Sequence, residues 1–247
     1  MLQGVRSIIK TTSKDLLNWS EQVPADFGDT PLENFYVSAA HPYFRAPHIL
    51  LGVPKCLVKR RKYHSDVPHP GISDGIFMSS RDGVHWRRFM EAFIRPGRDE
   101  RNWIHRTTFT VPGVIQTAPD EISLYVSRNY TYPSAHLERM TLRIDGFVSI
   151  NADYAGGEFI TKPLIFQGDN LHLNFATSAA GSLRLEIQDA QGNPLPGFAL
   201  EESPVILGDK IEQTVSWKRR RTGFPAILAR SSVFSSVLEK TNSFSPA

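Results

Sequence analysis

The chain has 247 residues, 40% of them hydrophobic and 21% charged, with a net charge of +3. That length and balance fit one large or two modest folded domains and exclude wholesale disorder, while so small a charge neither demands nor excludes a polyanionic partner. The single cysteine, Cys56, excludes an internal disulfide and a multi-cysteine zinc site.

Met1 to Lys10 lacks the long apolar core of a secretory signal peptide. No run approaches the ~20 apolar residues of a membrane span. The compartment is therefore not readable, and export of a longer protein stays open. Val5–Lys10 reads as a strand, followed by a turn at Asp15 and a strand around Trp19. Residues 24–38 read as an acidic loop broken by Pro24, Gly28 and Pro31. Ile49–Val53, bounded by Pro47 and Pro54, reads as a short buried strand. Residues 55–73 read as a long basic loop whose run Lys59-Arg60-Arg61-Lys62 is read as a solvated surface, with a phosphate or nucleic-acid contact as the alternative.

Ile76–Arg87 then alternates, breaks at Asp82-Gly83, and alternates again up to Trp86. Asp82-Gly83 is the signal of a two-residue hairpin turn. The hairpin has an earlier copy: Thr12–Trp19 matches Ser79–Trp86 position by position, Asp15 with Asp82 and Trp19 with Trp86. Leu16 stands where the second copy has Gly83. A leucine at positive φ is strained, so a different turn is expected there. Equivalent repeat positions predict a packing role for both tryptophans. A weaker third copy, Leu142–Phe147, centres on Asp145. A β-hairpin recurring roughly every 65 residues points to a repeat architecture of β-sheets, most naturally a propeller.

Trp103–Gln116 is expected to hold the next inner strand, with Arg106 near its entry. Glu121–Arg128 alternates as a strand, and Ala135–Ile144 with Gly146–Ile150 reads as the last hairpin. These complete a four-stranded unit by count. From Asn151 short strands follow: Glu158–Phe166, Leu171–Phe175, Ser182–Gln188, Gly197–Leu200 and Ile211–Trp217. Their spacing suggests a sandwich or jelly roll. The tail opens on Lys218-Arg219-Arg220-Arg221 and continues Ser-rich to Ala247; either Val233–Leu238 supplies a poor substitute for a closing strand or the tail is disordered. The tail's basic run lacks the aromatic interleaving of a nucleic-acid surface, and no nucleic-acid partner is expected.

The repeated S-x-D-G-x-x-W hairpin resembles those in the five-bladed propellers of glycoside hydrolases of the invertase and arabinanase type. More narrowly, the chain is similar to a group of bacterial proteins related to the N-terminal domain of invertase-type hydrolases. The residues that carry this are Phe44–His48, Ser73–Gly83, Phe93–Gly97, Asp145–Ser149 and Ala176–Gly181. The resemblance spans roughly residues 1–217. It implies an all-β chain: the last two to three blades of a five-bladed β-propeller (1–150), a β-sandwich or jelly-roll-like domain (151–217), and an atypical basic tail (218–247). It also implies that the earlier blades lie upstream of Met1.

In those hydrolases carboxylates in the propeller funnel cleave glycosidic bonds, which needs an acid and a nucleophile or base ~5–9.5 Å apart. Asp74 and Glu121 are the catalytic candidates, each with a plain turn or cap role as the alternative. The family's acid motif, Glu-Cys-Pro-Asp, is matched here by Arg45-Ala46-Pro47-His48. An arginine keeps its proton near neutral pH and cannot serve as that acid. His41, Tyr43, Arg45 and His48 form the densest polar and aromatic cluster, able to stack on sugar faces and donate to hydroxyls. A hydrogen-bonded loop is the competing reading. Arg106 is a similar candidate for binding. The spacing of His41 and His48 fits no recognised metal pattern, and neither metal nor cofactor is expected. The expected function is a carbohydrate-active protein, with a carbohydrate ligand as partner, that hydrolyses glycosidic bonds when full length and is inactive as this chain alone. A non-catalytic glycan-binding or scaffold protein is the alternative.

Overall fold

The structure is a computed structural model that describes residues 4–153, 155–162 and 170–217, together with the backbone of 233–239. The described residues are all-β, interrupted only by short 3-10 turns, and none forms a helix long and apolar enough to cross a membrane. They divide into two units, Met1–Leu142 and Arg143–Ala247.

In the first unit β1 (Ile9–Lys10) pairs with β2 (Val23–Pro24). A larger sheet follows from β3 (Asn34–Tyr36), β4 (His41–Tyr43), β5 (Ala46–Gly52), β6 (Lys55–Val58), β7 (Ile72–Ser80) and β8 (Trp86–Ile94). β5 and β6 act as one strand along β7, in unbroken register from Leu50 opposite Ser80 to Val58 opposite Ile72. Pro54 has no N–H to give, which splits the strand in two. Its carbonyl nonetheless accepts from Ile76 N at 3.1 Å, so the ladder runs on. The sheet is thus an antiparallel meander of β4, β5–β6, β7 and β8, with β3 added beside β6. Residues 55–73, expected as loop throughout, begin with β6 because this ladder claims them.

The alternation in β7 separates two packed faces. Ile76 packs with Phe35 and Cys56, and Met78 with Ala25 and Trp86. Phe77 points the other way, its ring 5.5 Å from Phe89 and 5.4 Å from Phe93. Burying each such side chain contributes about 1.5–3 kcal/mol. A second sheet holds β9 (Phe109–Thr110), β10 (Ile115–Ala118), β11 (Glu121–Arg128) and β12 (His136–Arg143). The sheet holds four strands, the count expected, but β9 and β10 share one edge of β11, so it is three strands wide. Ile122, Leu124 and Val126 are buried as their alternation predicts. Trp103–Gln116 is mostly irregular, with strand only at Phe109–Thr110 and from Ile115, and is preceded by a 3-10 segment at Glu100–Asn102.

The two copies of the repeat loop share their hydrogen bonds. In each, an aspartate Oδ1 accepts from two backbone N–H groups: Asp15 from Leu17 (2.9 Å) and Asn18 (2.8 Å), Asp82 from Val84 and His85 (both 2.8 Å). In each, the tryptophan Nε1 donates back to a carbonyl, Trp19 to Leu16 (3.1 Å) and Trp86 to Gly83 (3.0 Å). Three expectations are corrected here. Asp82-Gly83 is not a two-residue turn, since β7 ends at Ser80 and β8 begins at Trp86. The Leu16 copy keeps the same loop because side-chain bonds hold it. Trp86 is buried, 5% exposed, but Trp19 is 55% exposed, since only the second copy has a sheet face to receive the ring.

In the second unit β13 (Gly157–Ile160) and β15 (Ser182–Gln188) flank β17 (Val233–Glu239), while β14 (His172–Ala176) pairs with β16 (Asp209–Thr214). Leu183, Leu185 and Ile187 of β15 share a core with Leu173 and Phe175 of β14, and with Phe198, Val215 and Trp217. Val233–Leu238, expected to be at best a poor substitute for a strand, lies in β17, the middle strand of its sheet, antiparallel to both neighbours. Gly197–Leu200 is not a strand; it leads into a 3-10 turn at Leu200–Glu202. Gly146–Ile150 is not one either. Asp145 takes φ 59° and Gly146 N donates to Arg143 O at 3.0 Å, a tight turn that ends β12 with no returning strand. The expected strand end at Pro163–Phe166 and the basic run from Lys218 lie outside the described residues.

Candidate functional site

A cavity of about 490 Å³ opens in the first unit. Strand pairing builds its centre, because Tyr36 at the end of β3 lies directly across from Lys55 at the start of β6. Phe109 of β9 and Tyr130, just past β11, complete an aromatic wall, and Arg6, Lys59 and Arg106 stand around it. The rings touch: Tyr36 and Phe109 lie 5.4 Å apart edge to face, and Phe109 and Tyr130 lie 6.1 Å apart. Lys55 Nζ sits 4.2 Å from the Phe109 centroid and 5.0 Å from that of Tyr36, while Arg6 Cζ lies 4.6 Å over Tyr36.

Lys55 is 6% exposed and donates to the His105 carbonyl at 3.0 Å. Burial, then the charges of Arg6 and Arg106, bring its pKa down to about 8. Burial also lowers His105, followed by Arg106, His69 and Lys55. Both His105 ring nitrogens are buried without a hydrogen-bond partner among the described residues. No carboxylate lines the cavity among those residues. The site is therefore cationic, partly dry, and faced by aromatic rings.

Each wall residue adjoins a residue in the left-handed region: Val37 (φ 55°) after Tyr36, Thr108 (φ 64°) before Phe109, and Asn129 (φ 52°) before Tyr130. Asparagine tolerates this conformation, but the β-branched Val37 and Thr108 do not, at about 1–3 kcal/mol each. Buried Asn102 helps hold two of them. Its Oδ1 accepts from Thr107 Oγ1 at 3.0 Å and from Asn129 N at 2.8 Å. Asn129 Nδ2 donates in turn to Asp99 at 3.1 Å. Hydrogen bonds from the Arg101 side chain, above all, keep the Asp99 carboxyl well below the usual carboxylate range. Left-handed residues beside its wall and a buried polar network behind it make this cavity the candidate functional site.

Of the residues singled out from sequence, Arg106 stands at this cavity. His41, Tyr43, Arg45 and His48 lie around the β4–β5 hairpin, toward the opposite end of the same sheet, and none lines it. Tyr43 is buried, its ring 4.9 Å from Phe44; His41 Nδ1 bonds the Ala39 carbonyl at 2.9 Å; Arg45 and His48 are exposed.

Asp74 and Glu121 sit in different sheets with different neighbours. Asp74, on β7, is opposite Cys56 and half-buried. Burial raises its pKa, against the lowering effect of Arg61 and Arg95. Cys56 Sγ donates to Glu33 at 3.2 Å, and Glu33 pairs with buried Arg88. Burial, then Glu33, pushes the Cys56 thiol up to about 12, so it is inert. Glu121, at the start of β11, accepts from Arg139 at 2.5 Å and from Thr117 at 2.7 Å.

Lys55, Tyr36, Phe109 and Tyr130 did not stand out as a group, since pairing of β3 with β6 and the turns after Asn102 bring them together. The one sequence signal was a lysine heading the apolar run Lys55-Cys56-Leu57-Val58. Compared with protein-family models, with curated proteins and with solved structures, the chain matches none.

Proposed function

We propose that this chain is a carbohydrate-recognition β-protein and that the cavity around Lys55 holds the saccharide. The observation that carries this reading is the pairing of ring faces with strong donors in one cleft: Tyr36, Phe109 and Tyr130 beside Lys55, Arg6 and Arg106. Aromatic rings receive the apolar C–H faces of sugars, and cationic donors bind their oxygens. We read the meander β4, β5–β6, β7 and β8, with its repeated loop, as a blade of a glycosidase-like propeller, and the second unit as sandwich-like.

Binding is favoured over hydrolysis. Cleavage needs two carboxylates beside the sugar, and neither Asp74 nor Glu121 lines this cavity. Hydrolysis remains the second reading, because half-buried Asp74 has the raised pKa that a general acid requires. Glycan-array screening with titration calorimetry, run beside hydrolysis assays on wild type and Asp74→Asn, separates the two. Saccharide binding without turnover is expected. Turnover abolished in Asp74→Asn would establish hydrolysis instead, and neither binding nor turnover would sink both readings.

A further inference from the structure

We propose that the saccharide held in this cavity is anionic, its carboxylate or sulfate group meeting Lys55. This rests on the carbohydrate reading above and narrows it to a ligand class. Lys55 has three N–H donors, and the bond recorded for them goes to the His105 carbonyl. The other charges around it, Arg6, Lys59 and Arg106, have the same sign. Elsewhere in the unit, buried or half-buried arginines face carboxylates: Arg88 meets Glu33 and Arg128 meets Glu138 at 2.6 Å. The cavity departs from that pattern, since no carboxylate lines it among the described residues.

A desolvated cation beside other cations is unfavourable, and ring faces offset only part of the cost. An acid group on the ligand would supply both the missing opposite charge and acceptors for the remaining ammonium N–H groups. A neutral sugar supplies only the acceptors. The rings at 4.2 Å and 5.0 Å from Nζ leave the ligand's apolar face a surface to lie on while its acid group points at Lys55.

The test is titration calorimetry of the full chain with three oligosaccharides of equal length: an oligogalacturonate, a sulfated oligosaccharide and a neutral β-glucan. The two acidic arms tell a carboxylate from a sulfate ligand. At least one acidic ligand is expected to bind. Its affinity should fall at least ~tenfold in Lys55→Gln and fall again as salt is raised. Arg106→Gln, at an exposed position, should weaken the same ligand without lowering the melting temperature, which guards against a Lys55 variant that fails to fold. A neutral oligosaccharide that binds as tightly as the acidic ones, unaffected by either variant, would overturn the anionic inference and leave saccharide recognition standing. Binding of none of the three oligosaccharides would overturn both.

Discussion

Leu16 and Gly83 hold the same left-handed place in two copies of one loop, with φ of 63° and 75°. In each copy the residue's N–H donates to a serine hydroxyl at 2.8 Å, Ser13 in the first and Ser80 in the second. A leucine pays about 1–2 kcal/mol for that conformation. Leu16 is 75% exposed, so little packing offsets the strain. Leu16→Gly should therefore stabilise the chain, by about 0.5–1 kcal/mol after the flexibility cost of glycine. Gly83→Ala should destabilise it by about 1–2 kcal/mol. The added Cβ also meets Leu50 and Lys10 side-chain atoms at 3.3 Å. Urea unfolding measures both, and a neutral Gly83→Ala would show that the aspartate and serine bonds alone decide the loop.

That loop was legible because the residues that repeat are the ones that bond: Ser, Asp and Trp. Strict alternation likewise marked Glu121–Arg128 and Ser182–Gln188, whose alternating residues Ile122, Leu124 and Val126, and Leu183, Leu185 and Ile187, are all buried. Other features depend on partners. Pro54 looks like the end of a strand, yet the chain on both sides of it pairs with β7. Val233–Glu239 lacks a clean apolar period, and its place is set by β13 and β15 on either side. The cavity was hidden for the same reason, since Tyr36 and Lys55 meet only through the pairing of β3 with β6. The His41–His48 cluster shows the converse, a density of suggestive residues in sequence that the fold leaves outside the cavity.

The second loop copy titrates where the first does not. His85 Nδ1 lies 2.6 Å from Asp82 Oδ2, and that hydrogen bond and charge raise the His85 pKa above its ordinary 6.5. The first copy has Asn18 in this place, 2.7 Å from Asp15 Oδ2. A histidine whose folded pKa is raised binds more protons folded than unfolded. Its contribution is complete below pH ~6.5 and is lost as pH rises through the folded value. Wild type should therefore lose stability from about pH 6.5 upward, and His85→Asn should be flatter over that window. Denaturation midpoints between pH 5.5 and 8.5 read the difference; parallel profiles for the two proteins would remove His85 from the account.

Lys55 should show a conflict between stability and function. Its pKa falls to about 8 from an ordinary 10.5, so folding disfavours its charged form. Below pH ~8 both states are protonated and the full cost applies; between about pH 8 and 10.5 the unfolded state holds more protons and stability rises with pH. Lys55→Met removes the charge and keeps the apolar stem. The His105 carbonyl it abandons still accepts from Ser73 Oγ at 2.9 Å. The variant is expected to match or exceed wild-type stability at pH 7, with its advantage shrinking toward pH 10, while losing affinity for the ligand. Such a trade is common where a site retains a costly group for binding. A variant that is clearly less stable at pH 7 would mean that Lys55 is a structural cation.

Asn102 is the residue through which the wall can be tested without touching a ligand. It is 4% exposed and does not line the cavity. One oxygen accepts from both Thr107 and Asn129 N, tying together the segments that carry Phe109 and Tyr130. Asn102→Ala leaves the buried Asn129 N without its acceptor, at about 1–3 kcal/mol if water cannot reach it, and leaves Thr107 Oγ1 with only the Ser127 carbonyl at 3.4 Å. It also frees Thr108 and Asn129 to leave the left-handed region, which would displace the rings beside them. Stability and saccharide affinity should fall together, with near-ultraviolet dichroism reporting the moved tyrosine. Asn102→Asp restores an acceptor oxygen in place and should recover most of the affinity. If Asn102→Ala loses stability but binds as wild type does, the strained backbone serves the fold alone and the wall needs no such support.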